Sequence, residues 1–412
     1  MNKLLSFIAI VTLSFTGVAQ QTINVSMGAG YADEVYYKLD TETQTVFAAN
    51  SWDVAFLRID AFNHGIRVND GIGISVYEAS NDPNDYNTID IANEPSWTIL
   101  YNDDTNWDNG AFMQGSATYG WGEYNPANHH IEGTIVFVLK YADGTYRKFL
   151  IEDYFGEYTF RYATWDGSAW VNDTTYVIDN DSNPDNRYNY YSLQNDSEVV
   201  AEPAETDWDF VFTKYNTYLD PPGSYYNVSG TLHNANLTVA QVEETSGDAD
   251  PNGLDYSEEI NIIGYDWKSF NGSDYDVNSN MAYYVKYDAN TVYRVHFTEF
   301  EGSATGNLTF VYEDVSNLLG IETVTEGVTF GMYPNPSTNG IVEIVYERNN
   351  AMANLHTVSV HNMNGSIVYH TQLGNDNGFF NKTLDLSSLQ SGMYVVTFTS
   401  GDASVSKKLV IQ

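Results

Sequence analysis

Cysteine is absent from this chain of 412 residues. That excludes a disulfide framework, a thiolate nucleophile and any Cys-based zinc or iron–sulfur site, and leaves packing and bound ions to hold the fold. Basic residues are scarce: 17 Lys and Arg stand against 55 Asp and Glu, for a formal charge of −38. A surface this acidic repels phosphate backbones and anionic membranes, so nucleic acid is excluded as a partner and divalent cations are the natural small ones. No long apolar run follows Phe15, so no segment reads as a transmembrane helix. Helical periodicity is nearly missing. So are catalytic signatures: there is no Ser nucleophile elbow, no H-E-x-x-H and no Gly-rich phosphate loop. Asp and Glu are too widespread to single out a glycosidase pair. The expectation is a binding protein and not an enzyme.

What the chain does have is aromatic side chains, at 15% with 33 Tyr and 8 Trp, within a 42% hydrophobic composition. Disordered chains lack such a load, and the length suits two or three domains. Lys3, the apolar run Leu4 to Phe15 and the small residues Gly17-Val18-Ala19 read as a secretory signal peptide over 1–19, with Gln20 as the mature start. Beyond it, short alternating runs such as Tyr158-Thr159-Phe160-Arg161-Tyr162 and Tyr293-Arg294-Val295-His296-Phe297 are separated by turn dipeptides such as Asp143-Gly144 and Asn271-Gly272. This pattern predicts an all-β sandwich or barrel architecture.

The body repeats itself. Trp52-Asp53-Val54-Ala55-Phe56 returns as Trp208-Asp209-Phe210-Val211-Phe212. An aromatic pair precedes each, Tyr36-Tyr37 and Tyr190-Tyr191. Val138-Leu139-Lys140-Tyr141 returns as Tyr284-Val285-Lys286-Tyr287, and Tyr158-Thr159-Phe160 as Leu308-Thr309-Phe310. The order is kept at an offset of roughly 150 residues, the sign of a duplicated unit. The boundaries expected from this are a first β unit at 20–165, a linker at 166–189, a second unit at 190–315 and a linker at 316–330.

Residues 331–412 differ in charge. Their acids (Glu343, Glu347, Asp376, Asp385, Asp402) and bases (Arg348, Lys382, Lys407, Lys408) nearly cancel, which marks a separate domain with a separate job. It opens with Tyr333-Pro334-Asn335-Pro336-Ser337. It continues through the turn Asn362-Met363-Asn364-Gly365 and the run Leu384-Asp385-Leu386-Ser387-Ser388-Leu389, and it ends in Lys407-Lys408-Leu409-Val410-Ile411. This segment resembles the type A C-terminal sorting domain of the Bacteroidota type IX secretion system. The resemblance implies a small β-sandwich recognised by that machinery, with the cargo delivered to the cell surface or the medium.

The duplicated body resembles the HmuY family of β-rich haem-binding proteins. The resemblance rests on the two Trp-Asp segments, on Gly120-Trp121 and Ala142-Asp143-Gly144-Thr145-Tyr146 in the first unit, and on Ile263-Gly264-Tyr265-Asp266-Trp267-Lys268 in the second. The expected fold is therefore two tandem HmuY-like antiparallel β domains followed by the sorting sandwich. The resemblance implies axial His or Met ligands to haem iron from loops. His129 and His130 fall in the expected window after Gly-Trp, with Met113 the nearest upstream partner. Arg58, Arg67, Arg147 and Lys148 are the cations near enough in sequence to meet haem carboxylates. The plain alternative is a solvated His pair.

Two further ligand classes stay open. Asp248, Asp250, Asn252 and Glu259 match the letters of an EF-hand calcium loop, D-x-D-x-N-G-x₅-E, without flanking amphipathic helices and with Pro251 inside. Trp97, Trp107, Trp165 and Trp170 fall in polar stretches, where such rings either stack on sugars, giving a carbohydrate-binding or adhesin-like protein, or pack into the core.

Overall fold

The computed structural model describes residues 20–59, 63–245, 248–319, 328–348, 356–373, 378–400 and 403–412. The expected signal peptide at 1–19 and most of the expected linker at 316–330 lie outside them. Regular structure is antiparallel strand, broken by short 3-10 turns, as the alternating runs predicted. Among the described residues no helix is long and apolar enough to cross a membrane. The chain divides into two compact units. One comprises the body through Ala249 and Asp255–Asp314; the other comprises Asp250–Leu254 and Val315–Gln412.

The first unit holds two similar halves. In the first half, a large sheet runs in the order Thr98–Leu100, Ser75–Ser80, Val136–Lys140, Tyr146–Tyr154, Glu157–Trp165, Trp170–Asp179. A smaller sheet places Tyr188–Ser192 against Val54–Leu57. Alternate side chains of both sheets point inward. They meet in a core that includes Phe56, Phe112, Trp121, Phe137, Phe160 and Tyr191. In the second half, one sheet runs Gln21–Ser26, Asn307–Asp314, Val292–Phe300, Met281–Lys286, Thr238–Glu243, and the other runs Ser224–His233, Phe210–Leu219, Asp33–Lys38, Thr43–Ala48. Their core includes Tyr37, Phe212, Trp267, Tyr283, Phe297 and Phe310.

The repeated letters hold matching positions. Trp208 meets Tyr36 edge-on at 5.2 Å, and Trp52 meets Tyr190 edge-on at 5.0 Å. The amide of Asp209 donates to Tyr37 O at 2.7 Å, and that of Asp53 to Tyr191 O at 3.0 Å. The Asp209 carboxylate accepts from Lys38 Nζ at 2.8 Å, from the Leu39 amide at 2.7 Å and from the Tyr287 hydroxyl. The Asp53 carboxylate accepts from the Gln194 amide at 3.1 Å and its side chain at 2.9 Å. Each half also has a register shift at the same place, between Ile151 and Asp153 and between Phe297 and Glu299.

The halves are not consecutive in sequence, and here the expected boundaries need correcting. The strand carrying Tyr36-Tyr37 lies in the range 20–165, yet it pairs with Phe210–Phe212 of the second half. The strand carrying Tyr190-Tyr191 lies in the range 190–315, yet it pairs with Val54–Leu57 of the first half. The range 166–189 includes the edge strand Trp170–Asp179, paired to Glu157–Trp165 along its length, and is not a free linker. The N-terminal strands thus close the last-made half.

The second unit is a β-sandwich of its own. Val328–Tyr333, Ile341–Arg348 and Gly378–Asp385 form one sheet, and Ile367–Leu373, His356–Asn362, Gly392–Ser400 and Ala403–Ile411 the other. Phe330, Val342, Ile344, Val358, Val396, Phe398 and Leu409 fill the space between. The Pro-rich opening is clipped to the final strand. Asn335 donates through Nδ2 to Lys408 O at 2.8 Å and accepts from the Val410 amide at 2.9 Å, and the Ser337 amide donates to Val410 O at 2.8 Å.

Candidate functional site

One hairpin organises the site. Strands Gly122–Asn125 and His130–Gly133 pair with each other, and the second of them pairs with the long strand Tyr146–Tyr154 through Tyr154↔Ile131. Asn125 shapes the turn: its Oδ1 accepts from the Ala127 amide at 2.9 Å and its carbonyl from the His129 amide at 2.8 Å. His129 sits at φ +67°, a left-handed conformation in which His is tolerated better than most side chains. The side-chain amides of Asn125 and Asn128 bond the Glu132 carboxylate and hold its pKa below the ordinary value.

This pairing brings His129 beside the next turn, Phe155-Gly156, at the rim of a cavity of about 650 Å³. Its walls are the rings of Tyr119, Tyr124, Tyr154 and Phe155 with the imidazoles of His64 and His129, completed by Ile131 and Gly156. Small-molecule sites fall in this size range and share this mainly aromatic character. His64 is nearly buried and lies edge-on to Tyr154 at 4.6 Å and Tyr119 at 6.0 Å. Its carbonyl accepts from Trp121 Nε1 at 3.2 Å, which ties the His64 loop to the core tryptophan. His129 Nδ1 lies 2.6 Å from the Tyr124 hydroxyl. When Nδ1–H donates to that oxygen, Nε2 presents its lone pair, the arrangement a metal-ligating imidazole needs.

The other expected site residues are elsewhere. His130 stands beside the cavity and does not line it: its Nδ1 bonds Asp153 at 2.8 Å and its ring stacks on Phe155 at 4.6 Å. Met113 is half-buried in the turn Ala111–Gln114 and packs on the first core, while His64, which the sequence did not single out, lines the cavity. No motif marks His64; only folding brings it to His129. The four expected cations are engaged elsewhere. Arg58 donates to the carbonyls of Asn180 and Asn186, Arg67 to that of Asp103 and Lys148 to that of Tyr86, while Arg147 lies over the Tyr141 ring.

The expected calcium residues each have partners of their own. Asp248 accepts from Arg294 at 2.7 Å, and Asp250 accepts from the Asn252 amide at 3.0 Å to start the turn Pro251–Gly253. Glu259 is exposed, and its backbone carbonyl takes His233 Nε2. Among the described residues, no three or more His, Cys, Asp or Glu side chains gather as a metal set. Of the four tryptophans, Trp107 is structural: its Nε1 donates to His233 O at 2.9 Å and its ring meets Trp208. Trp170 donates to Ile89 O and meets Trp165 at 5.2 Å, and Trp97 lies half-buried beside Tyr77.

No curated protein matches the chain. Residues 331–412, which form the clipped sandwich of the second unit, match the family described as secretion system C-terminal sorting domain. The second unit is therefore a type IX sorting domain, and the protein is exported across the outer membrane to the cell surface or the medium.

Proposed function

We propose that the first unit is a non-catalytic binding module carried outside the cell by its sorting domain, and that its site is the His64–His129 cavity. The carrying observation is the presence of two imidazoles in one aromatic-walled cavity. Haem is the ligand whose chemistry fits these donors best. Imidazole nitrogen is a good axial ligand to haem iron, and aromatic walls suit the faces of a flat macrocycle. His129, oriented by Tyr124, and His64 would hold the iron, which supplies the bond to nitrogen. The HmuY-like resemblance of the Trp-Asp segments supports the same reading. Among the described residues lining the cavity there is no Lys or Arg, so the ligand's carboxylates would stay with water. Among the described residues of the lining there is also no carboxylate pair and no Ser or Cys nucleophile, which supports binding over catalysis.

The test is a titration of the mature protein with haemin. A saturable Soret shift at micromolar haemin is expected, weakened at least 10-fold in His129→Asn. Absence of a saturable shift would remove the haem reading. The half-buried Trp97, Trp165 and Trp170 favour carbohydrate as the second reading, and glycan-array binding without a haemin response would move the function there.

A further inference from the structure

The second half has a cavity of its own, about 640 Å³, in the place that corresponds to the first. Each cavity lies beside a hairpin that follows a fully buried tryptophan, Trp121 in one half and Trp267 in the other. Each also lies beside the turn that ends the long middle strand, just past the shared register shift. Both turns carry a glycine at positive φ, Gly156 at +78° and Gly302 at +73°. Counting back from these glycines, Phe155 corresponds to Glu301, Tyr154 to Phe300 and Asp153 to Glu299. The hairpins differ in length: Gly122 pairs with Gly133 in the first and Lys268 with Val277 in the second, so in ladder register Tyr275 takes the place of Ile131, and His129 sits in the longer turn of the first hairpin.

The scaffold is shared, and the lining is not. Where the first cavity has the Ile131 side chain, the second has a phenol, with Tyr275 edge-on to Phe300 at 4.7 Å. Where the first has the exposed Phe155 ring, the second has a carboxylate. Asp274, Asp276, Glu299 and Glu301 all line the second cavity, and no imidazole does. Such a wall offers iron no nitrogen and repels a ligand that carries carboxylates.

We infer that recognition is confined to the first half, at one ligand per chain, and that two differences decide it: the longer turn of the first hairpin supplies His129, and Glu301 stands where the first half has Phe155. This rests on the proposed function. The test measures haemin stoichiometry on the full mature chain. One equivalent is expected for the parent, one for Asp276→Asn/Glu301→Gln with affinity within twofold, and an affinity at least 10-fold weaker for His129→Asn. Asparagine is chosen because it accepts the left-handed backbone of residue 129. Tyr124→Phe serves as a second variant: it keeps both imidazoles, removes the hydroxyl beside His129, and is expected to weaken binding about 10-fold. Two equivalents in the parent, or one surviving intact in His129→Asn, would overturn this inference alone. No saturable binding in the parent would remove the proposed function and this inference with it.

Discussion

Replacing Tyr37 and Tyr191 by alanine, one at a time, should damage the halves crosswise. Both side chains are 1% exposed. Tyr37 lies early in the chain but packs edge-on against Phe310 at 5.2 Å, and its strand is paired to Phe210–Phe212. Tyr191 lies seventeen residues before Trp208, yet it packs at 5.1 Å against Phe160 and at 4.7 Å against Tyr176. Truncating a buried aromatic to alanine costs about 3–5 kcal/mol from lost burial and the cavity left behind. Where exchange proceeds by local opening, that loss corresponds to about 10²–10⁴-fold faster amide exchange in the affected half. Hydrogen exchange read by mass spectrometry on peptides from Met281–Lys286 and Val136–Lys140 separates the two. Tyr37→Ala should unprotect the former and spare the latter, and Tyr191→Ala should do the reverse. If Tyr37→Ala instead unprotected Val136–Lys140, the crosswise closure of the halves would be refuted.

Two further outcomes follow from buried and clipped groups. Burial, partly offset by the Tyr188 amide at 2.7 Å, pushes the Glu202 carboxyl up from 4.5 to about 8. The folded chain therefore binds the proton more tightly than the unfolded one, so this group's contribution to stability is full below about 4.5 and falls as pH rises through about 8. Denaturant midpoints measured between those pH values should decline, and Glu202→Gln, which keeps the acceptor oxygen for Tyr188, should flatten the decline; an unchanged slope would count against the assignment. In the second unit, Asn335→Ala removes both bonds to the last strand and should cost about 1–2 kcal/mol. Proteolysis of the Ala403–Ile411 strand, compared with the parent, checks it.

Several features were legible because single side chains carry them. Trp52-Asp53 and Trp208-Asp209 each join a packing ring to a carboxylate that ties down a neighbouring segment, so the same letters recur wherever the same corner is built. The sorting domain was legible for a related reason: its Pro-Asn-Pro opening and its final strand are contiguous runs, and Asn335 forms the clip between them. His64 could not be found this way. It has no spacing rule relative to His129, and its place depends on a loop tied back by Trp121. The calcium letters gave no sign of Arg294, which arrives from a distant strand and engages Asp248.

Residue order alone determined that this chain would be strand-built, duplicated and exported, because alternation, repetition and the terminal motif are written in neighbouring side chains. Which half each aromatic-pair strand joins was left to the tertiary structure, since ladder hydrogen bonds come from the backbone and every strand offers the same ones. The placement of His64 and His129 in one cavity was decided there too, and so was the divergence of the two cavities. Each depends on which loops close around the same scaffold, and proximity across a sandwich leaves no periodic trace along the chain.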